Sequence, residues 1–283
     1  MSLLVSGLCA FPVKSLAATP VDELAFSARG AFADRRWMLV DEAGKFVTQR
    51  QFPQLCRIHA ESADEHGVYL KLHCLTSDQS VMINADQLCG AERTQVQVWG
   101  DSVEALDAGD EISAWFSSRL KATVRLVYFP AMTHRQVDLK YAQPGDDVGF
   151  ADGFPVLIAN MASLRVLQGS LADTGWKESL SMWRFRPNIV VDGGAAFAEN
   201  NWSRLRIGDM ELELVKPCSR CAIPTIRLED GVRQKEVFQV LRQHCLGDDG
   251  EVYFGQNALL RFKDSGSAKT SLLTVGMPVE VLS

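Results

Sequence analysis

Residues 210–226 read MELELVKPCSRCAIPTI. Met210, Leu212 and Leu214 alternate with Glu211 and Glu213, the two-residue period of a strand with one buried and one wet face. Lys216-Pro217 is expected to stop that strand, because proline brings no ladder donor. A loop then carries Cys218, Ser219, Arg220 and Cys221 towards Pro224-Thr225, and loops held at strand ends commonly carry chemistry. Several uses of the thiols are open from the residues alone. Cysteines near a strand can pack as small hydrophobes. A C-x-x-C can be a redox dithiol, although that motif usually opens a helix, and Pro224 with β-branched Thr225-Ile226 starts a helix poorly. A structural zinc site needs two more ligands, and Cys9, Cys56, Cys74, Cys89 and Cys245 bring no second closely spaced pair. A single thiolate, with Arg220 beside it to lower its pKa, can act as nucleophile or as ligand to a soft metal.

Outward from this loop, the chain punctuates short strands with few helices. Strands are expected at Leu3 to Phe11 and Trp37 to Val40, the latter turning at Asp41 to Gly44 into a return strand at Phe46 to Thr48. More follow near Val68 to His73, Ser80 to Ile83, Thr94 to Val98 and Val124 to Tyr128. Asp110 is placed as the N-cap of a helix whose Ile112, Trp115, Phe116 and Leu120 form a core-facing stripe. Asn160 caps a second helix carrying Leu164, Leu167 and Leu171, and Glu236 to Cys245 forms a third with Val237, Val240 and Leu241 inward. The polar stretch from Phe129 to Gly149 is a lid, a crossing between domains or a linker. Pro187 opens a strand that carries Arg186 and Asn188 on one side, and Leu273 to Val281 reads as a final hairpin. This order lacks regular βαβ alternation, so the fold class is mixed α/β and β-rich, with a β domain at 1–120 and a second domain at 121–283.

Composition bounds the function. The 283 residues, 47% hydrophobic and 23% charged, are ordinary for a globular protein with a real core. A net charge of -6 argues against a general binder of nucleic-acid backbones, while leaving room for a local basic pocket. No apolar run reaches the roughly 18 residues of a membrane span, and the first residues read as a strand and not as a signal peptide. Seven scattered cysteines suit a reducing cytoplasm.

KPCSRCAIPTI resembles the cysteine signature of MOSC domains, which are molybdenum-cofactor proteins, and above all that of the YcbX-type and amidoxime-reducing members. Further similar segments are PVKS at 12–15, DRRW at 34–37, TQRQFP at 48–53, VWGD at 98–101, DGFPVLI at 152–158, FRPNIVV at 185–191 and YFGQN at 253–257. The resemblance implies a MOSC-type β-barrel with flanking helices after the N-terminal β domain. It implies that Cys221 ligates molybdenum while Cys218 does not, and that Lys14, Ser15, Arg35, Arg186, Asn188, Ser219 and Arg220 hold the molybdenum cofactor (Mo-molybdopterin). An ammonium and a hydroxyl suit a phosphate, and an arginine fork suits an anion's edge. Asp152 corresponds to an acidic position near the metal, as a candidate for proton delivery or substrate orientation. Read alone, Asp152 would start a turn with Gly153, and Arg35 would pair with Asp34 or Asp41. The TQRQFP segment is expected to be structural. The implied activity is reduction of small N-hydroxylated compounds, with electrons from a separate ferredoxin- or flavin-type donor protein and no nucleic-acid or membrane partner. The family is also associated with pyridoxal phosphate binding. Two other readings stay open: a cofactor carrier without turnover, and a thiol enzyme with Cys221 as nucleophile.

Overall fold

The computed structural model describes residues 2–62, 68–75, 77–88, 93–262 and 270–282. In chain order the strands are β1 Leu3–Ala10, β2 Thr19–Val21, β3 Glu23–Ser27, β4 Gly30–Ala31, β5 Trp37–Val40, β6 Ile58–Ser62, β7 Tyr69–Cys74, β8 Ser77–Asn84 and β9 Arg93–Val98. They continue as β10 Asp101–Asp107, β11 Arg125–Tyr128, β12 Val156–Asn160, β13 Ile189–Asp192, β14 Arg204–Ile207, β15 Met210–Ser219, β16 Tyr253–Phe262, β17 Ser271–Thr274 and β18 Pro278–Val281. The helices are α1 Asp110–Leu120, α2 Met161–Asp173 and α3 Lys235–Cys245. The expected β-rich mixed class holds, with 40% strand.

Seven strands close a barrel in the order β13-β12-β16-β15-β14-β18-β1, and β1 returns to β13 with Leu4 opposite Asp192 and Leu8 opposite Ile189. Alternation drives the closure: Met210 and Leu212 of β15 are wholly buried, as are Leu205 and Ile207 opposite them on β14, while Glu211 and Glu213 face outward. Burying each such aliphatic side chain is worth roughly 1.5–3 kcal/mol. β12 and β13 run parallel. That pairing requires a crossover, and α2 supplies it, with Asn160 Oδ1 accepting from the Ala162 N–H at its start. Outside the barrel, Leu167 and Leu171 of α2 pack with Val237 and Leu241 of α3. A second core, around Trp37, Leu55, Leu72, Phe116 and Leu126, joins β5, β7, α1 and β11. Because β1 is a stave of the barrel, residues on both sides of position 120 share one sheet.

Several local expectations are corrected. β15 does not stop at Lys216-Pro217 but runs to Ser219, with irregular register on either side of Pro217. Bulges there let a proline sit in the strand without owing a ladder bond. The return strand after Asp41 shrinks to an isolated bridge, Val40 to Phe46, while β10 takes the hairpin position beside β9. Gly109, not Asp110, precedes α1, and the Asp110 carboxylate instead accepts from Arg125. β13 starts at Ile189, so Arg186 lies before the strand, in left-handed backbone at φ 60°. The final hairpin splits, because β17 pairs with β3 while β18 pairs with β14 and β1. Phe129 to Gly149 is a crossing, held by the buried Arg135, which donates to the carbonyls of Gly149, Ala151 and Asp152 and to Asp101 Oδ2.

Candidate functional site

Each residue singled out in the sequence lines one cavity at the seam between the two halves: Lys14, Ser15, Arg35, Asp152, Arg186, Asn188, Ser219, Arg220 and Cys221. Lys14 and Ser15 follow β1, Arg35 precedes β5, Arg186 and Asn188 precede β13, and the cysteine loop leaves β15. Three of these residues, Ser15, Arg35 and Arg186, hold positive φ angles of 68°, 46° and 60°. So does Trp99, at 56°, in the β9–β10 turn at the cavity wall. Non-glycine residues pay for that backbone, and such strain gathers where a site demands a particular side-chain direction.

The thiols differ sharply. Cys221 is exposed and Cys218 half-buried, so packing as small hydrophobes does not describe them. Arg220 serves Cys218, not Cys221: its Nη1 donates to Cys218 Sγ at 2.8 Å while its Nη2 donates to the Phe185 carbonyl. The carbonyl and the ring of Phe185, 5.5 Å from the guanidinium carbon, draw the fork to that side. Cys221 makes no hydrogen bond among the described residues.

On the same cavity lining, two guanidinium groups stack over one ring. The Arg35 and Arg186 Cζ atoms lie 4.4 and 4.2 Å from the Phe11 ring centre. Arg35 donates to Asp34 Oδ2 at 2.6 Å, the pairing that its sequence neighbours suggested, and also to Asn188 Oδ1 and the Arg186 carbonyl. Asn188, 1% exposed, spends its whole amide on the protein. Its Oδ1 also accepts from the Leu157 N–H, and its Nδ2 donates to the Cys9 carbonyl. In the structure it is one of three acceptors of Arg35, beside Asp34 and the Arg186 carbonyl.

Lys14, 5% exposed, donates to the Phe150 carbonyl at 2.7 Å and to Asp152 Oδ1 at 2.5 Å. Burial lowers the Lys14 pKa, and Asp152 restores part of that loss. Asp152 sits on a crowded cavity wall, which would raise its pKa even though the side chain stays largely open to solvent. The Lys14 charge and hydrogen bond and the Trp99 Nε1 donor outweigh it, leaving the carboxyl well below its usual range.

Lys14, Arg35, Arg50, Arg184, Arg186 and Arg220 line the cavity against a single carboxylate, Asp152. Burial, with Arg35 as a like-charged neighbour, pushes the Arg186 guanidinium down to about 9. Its Nη2 is buried and unpartnered, as are the Nε atoms of Arg184 and Arg220. Unmet donors and crowded cations in a chain of net charge -6 describe a place prepared for an anion. These residues therefore suit a phosphate-bearing cofactor with a thiolate-seeking metal: orphaned donors for the phosphate, an unengaged thiol for the metal.

Pyrophosphate should therefore raise the melting temperature of the cofactor-free protein. At about ten times its Kd the gain is about 1.4 kcal/mol, or roughly 3–5 °C. Arg186→Met should change the stability of that protein little, since the poorly compensated charge it removes offsets the lost bond to the Leu16 carbonyl, yet blunt the shift several-fold. A calorimetric scan with no pyrophosphate shift would remove the anion reading.

Sequence reasoning missed Thr48, Arg50, Trp99 and Arg184 as cavity residues. The TQRQFP segment does more than brace, since its Thr48 and Arg50 reach the wall. A tryptophan in a tight turn beside Gly100 was the available signal for Trp99. Arg184 lay within a segment already marked.

Comparison with known proteins finds domain matches over most of the chain. Residues 2–123 match the model of the MOSC N-terminal beta barrel domain, and residues 145–280 that of the MOSC domain. The chain is 33% identical over 297 aligned positions to mitochondrial amidoxime-reducing component 1 of Homo sapiens, covering 98% of this chain and 82% of that protein. It is 32% identical to mitochondrial amidoxime reducing component 2 of Bos taurus, covering 97% of this chain and 82% of that one. Molybdenum cofactor sulfurase of Danio rerio is 29% identical over 98% of this chain but only 34% of its own length. No helix among the described residues is long and apolar enough to cross a membrane.

Proposed function

Since the chain belongs to the MOSC domain family, we propose that it is a molybdenum-cofactor-dependent reductase of N-hydroxylated compounds. The observation that carries the reading is the meeting of an exposed, unengaged thiol, Cys221, with a cation-lined cavity holding unpartnered guanidinium donors. The names of its relatives supply the substrate class and the cofactor. When bound, the cofactor supplies a metal that can take an oxygen atom from an N–O bond and be reset by two electrons.

Lys14, Ser15, Arg35, Arg186, Ser219 and Arg220 would hold the anionic end of the cofactor, and Cys221 would ligate its metal. Asn188 helps to keep Arg35 aimed into the cavity. Asp152 stays ionised beside Lys14, so at neutral pH it serves as a hydrogen-bond acceptor that orients substrate, with the Lys14 ammonium the nearest proton reservoir. The overall reaction consumes two electrons and two protons per N–O bond broken and releases the reduced nitrogen compound and water. The electrons would come from a separate donor protein.

Protein made in a cofactor-competent host, chemically reduced and mixed with an N-hydroxylated amidine, is expected to yield about one amidine per bound molybdenum. Fully loaded protein that yields none under these conditions would sink the reductase reading and leave the carrier reading in its place.

A further inference from the structure

A second cleft of about 460 Å³ adjoins the cation-lined cavity and shares Trp99, Asp152, Gly153 and Phe154 with it. That volume is within the range of small-molecule sites. Its chemistry differs from its neighbour's. Trp99 is 49% exposed, with the Arg50 guanidinium 4.8 Å from its ring centre. Phe154 and Tyr141 meet edge to face at 5.8 Å on the same cleft. Lys216 lies over Tyr141 at 5.0 Å, and Arg135 is spent on Asp101 and on carbonyls. Both side-chain donors to Asp152, Lys14 and Trp99, reach Oδ1. That leaves Asp152 Oδ2 without a partner among the described residues, on a side chain 75% exposed. Lys140 also lies 5.2 Å from the Tyr141 ring and Phe46 packs on Trp99, so the second cleft, lined also by Asp101, Asp138, Arg135 and Lys216, sets partly covered aromatic rings beside a free carboxylate oxygen.

We propose that this second cleft is the substrate subsite, taking a planar aryl group against Trp99, Tyr141 and Phe154 while Asp152 Oδ2 accepts from the amino N–H beside the N–O centre. The assignment rests on the reductase reading for the identity of its ligand. It adds the prediction that Trp99 and Tyr141 set selectivity and that substrates carrying an amino donor are preferred over those lacking one. Trp99 is placed for this by its backbone: the strained turn holds the indole between the two cavities, with its Nε1 fixing the Asp152 carboxylate at 3.1 Å.

Benzamidine, an aryl amidine, tests the subsite without turnover. Calorimetric titration of the full-length protein is expected to show binding that Trp99→Leu and Tyr141→Leu each weaken by about five- to tenfold, the worth of an aromatic pair, while Trp99→Phe recovers most of it. Tyr141 lies outside the cation-lined cavity, so Tyr141→Leu should raise KM for an aryl N-hydroxyamidine by a similar factor with kcat within about twofold. Asp152→Asn should erase the preference for the amidine over an aryl ligand lacking the amino group. Unchanged benzamidine affinity in both leucine variants overturns the subsite, as does a wild type that reduces substrates yet binds no benzamidine. Variant-sensitive binding in a protein without reductase activity would keep the subsite and discard the reductase reading.

Discussion

Cys221→Ala is expected to lower the molybdenum content of freshly purified protein at least tenfold, while Cys218→Ala keeps most of it. The difference follows from what each sulfur touches. Cys218 Sγ already accepts from Arg220 Nη1, whereas Cys221 is exposed and uncommitted, the condition a thiolate needs to meet a soft metal. Pterin content should fall less steeply than molybdenum in Cys221→Ala, because the anionic end is held by Lys14, Arg35 and Arg186. Metal and pterin analysis of the three proteins checks this. Molybdenum lost with Cys218→Ala and retained with Cys221→Ala would exchange the roles of the two thiols. Absence of metal and pterin from wild type made in a competent host would favour the thiol-enzyme reading, which predicts fast alkylation of Cys221 in active, metal-free protein.

The second large effect is on stability. Asn188→Leu, nearly the same size, leaves the buried Leu157 N–H and Cys9 carbonyl without these partners and removes one of the three acceptors of Arg35. An unmet buried group costs about 1–3 kcal/mol, so the two together cost about 2 kcal/mol or more, which corresponds to a fall in Tm of roughly 4–8 °C. Urea unfolding measures it, and a loss below about 1 kcal/mol would show that these contacts matter little. The surviving protein should also hold cofactor less well, since Arg35 loses one of its three anchors. Asn188→Asp should do better on stability than leucine, because its oxygen still accepts from Leu157 and Arg35.

The amphipathic periodicities of the chain were legible because they report burial directly. Leu164, Leu167 and Leu171 lie on the inner face of α2, and Met210 and Leu212 point into the barrel, as their spacing requires. The site residues were legible only through family resemblance, since an isolated Lys14 or Arg35 reads as solvated charge. What stayed hidden depended on tertiary context. Nothing local announces that Ser15, Arg35 and Arg186 adopt left-handed backbone, nor that Pro217 can remain in a strand between two register shifts. Which thiol Arg220 would reach was equally hidden: it bonds Cys218, and its second contact, Phe185, is distant in sequence and adjacent in space.

β1 lies between β13 and β18 in the barrel wall, with Leu3 opposite Val279. A ribosome releases that stave long before its β18 neighbour. The wall that brings Lys14 and Ser15 to one cavity with Cys221 thus stays open until translation has passed β18, and long-range pairing of this kind is slow to form. On the reading proposed above, cofactor insertion would follow the synthesis of β18. Nascent chains stalled before β18 should bind no pterin, however completely their earlier hairpins have folded.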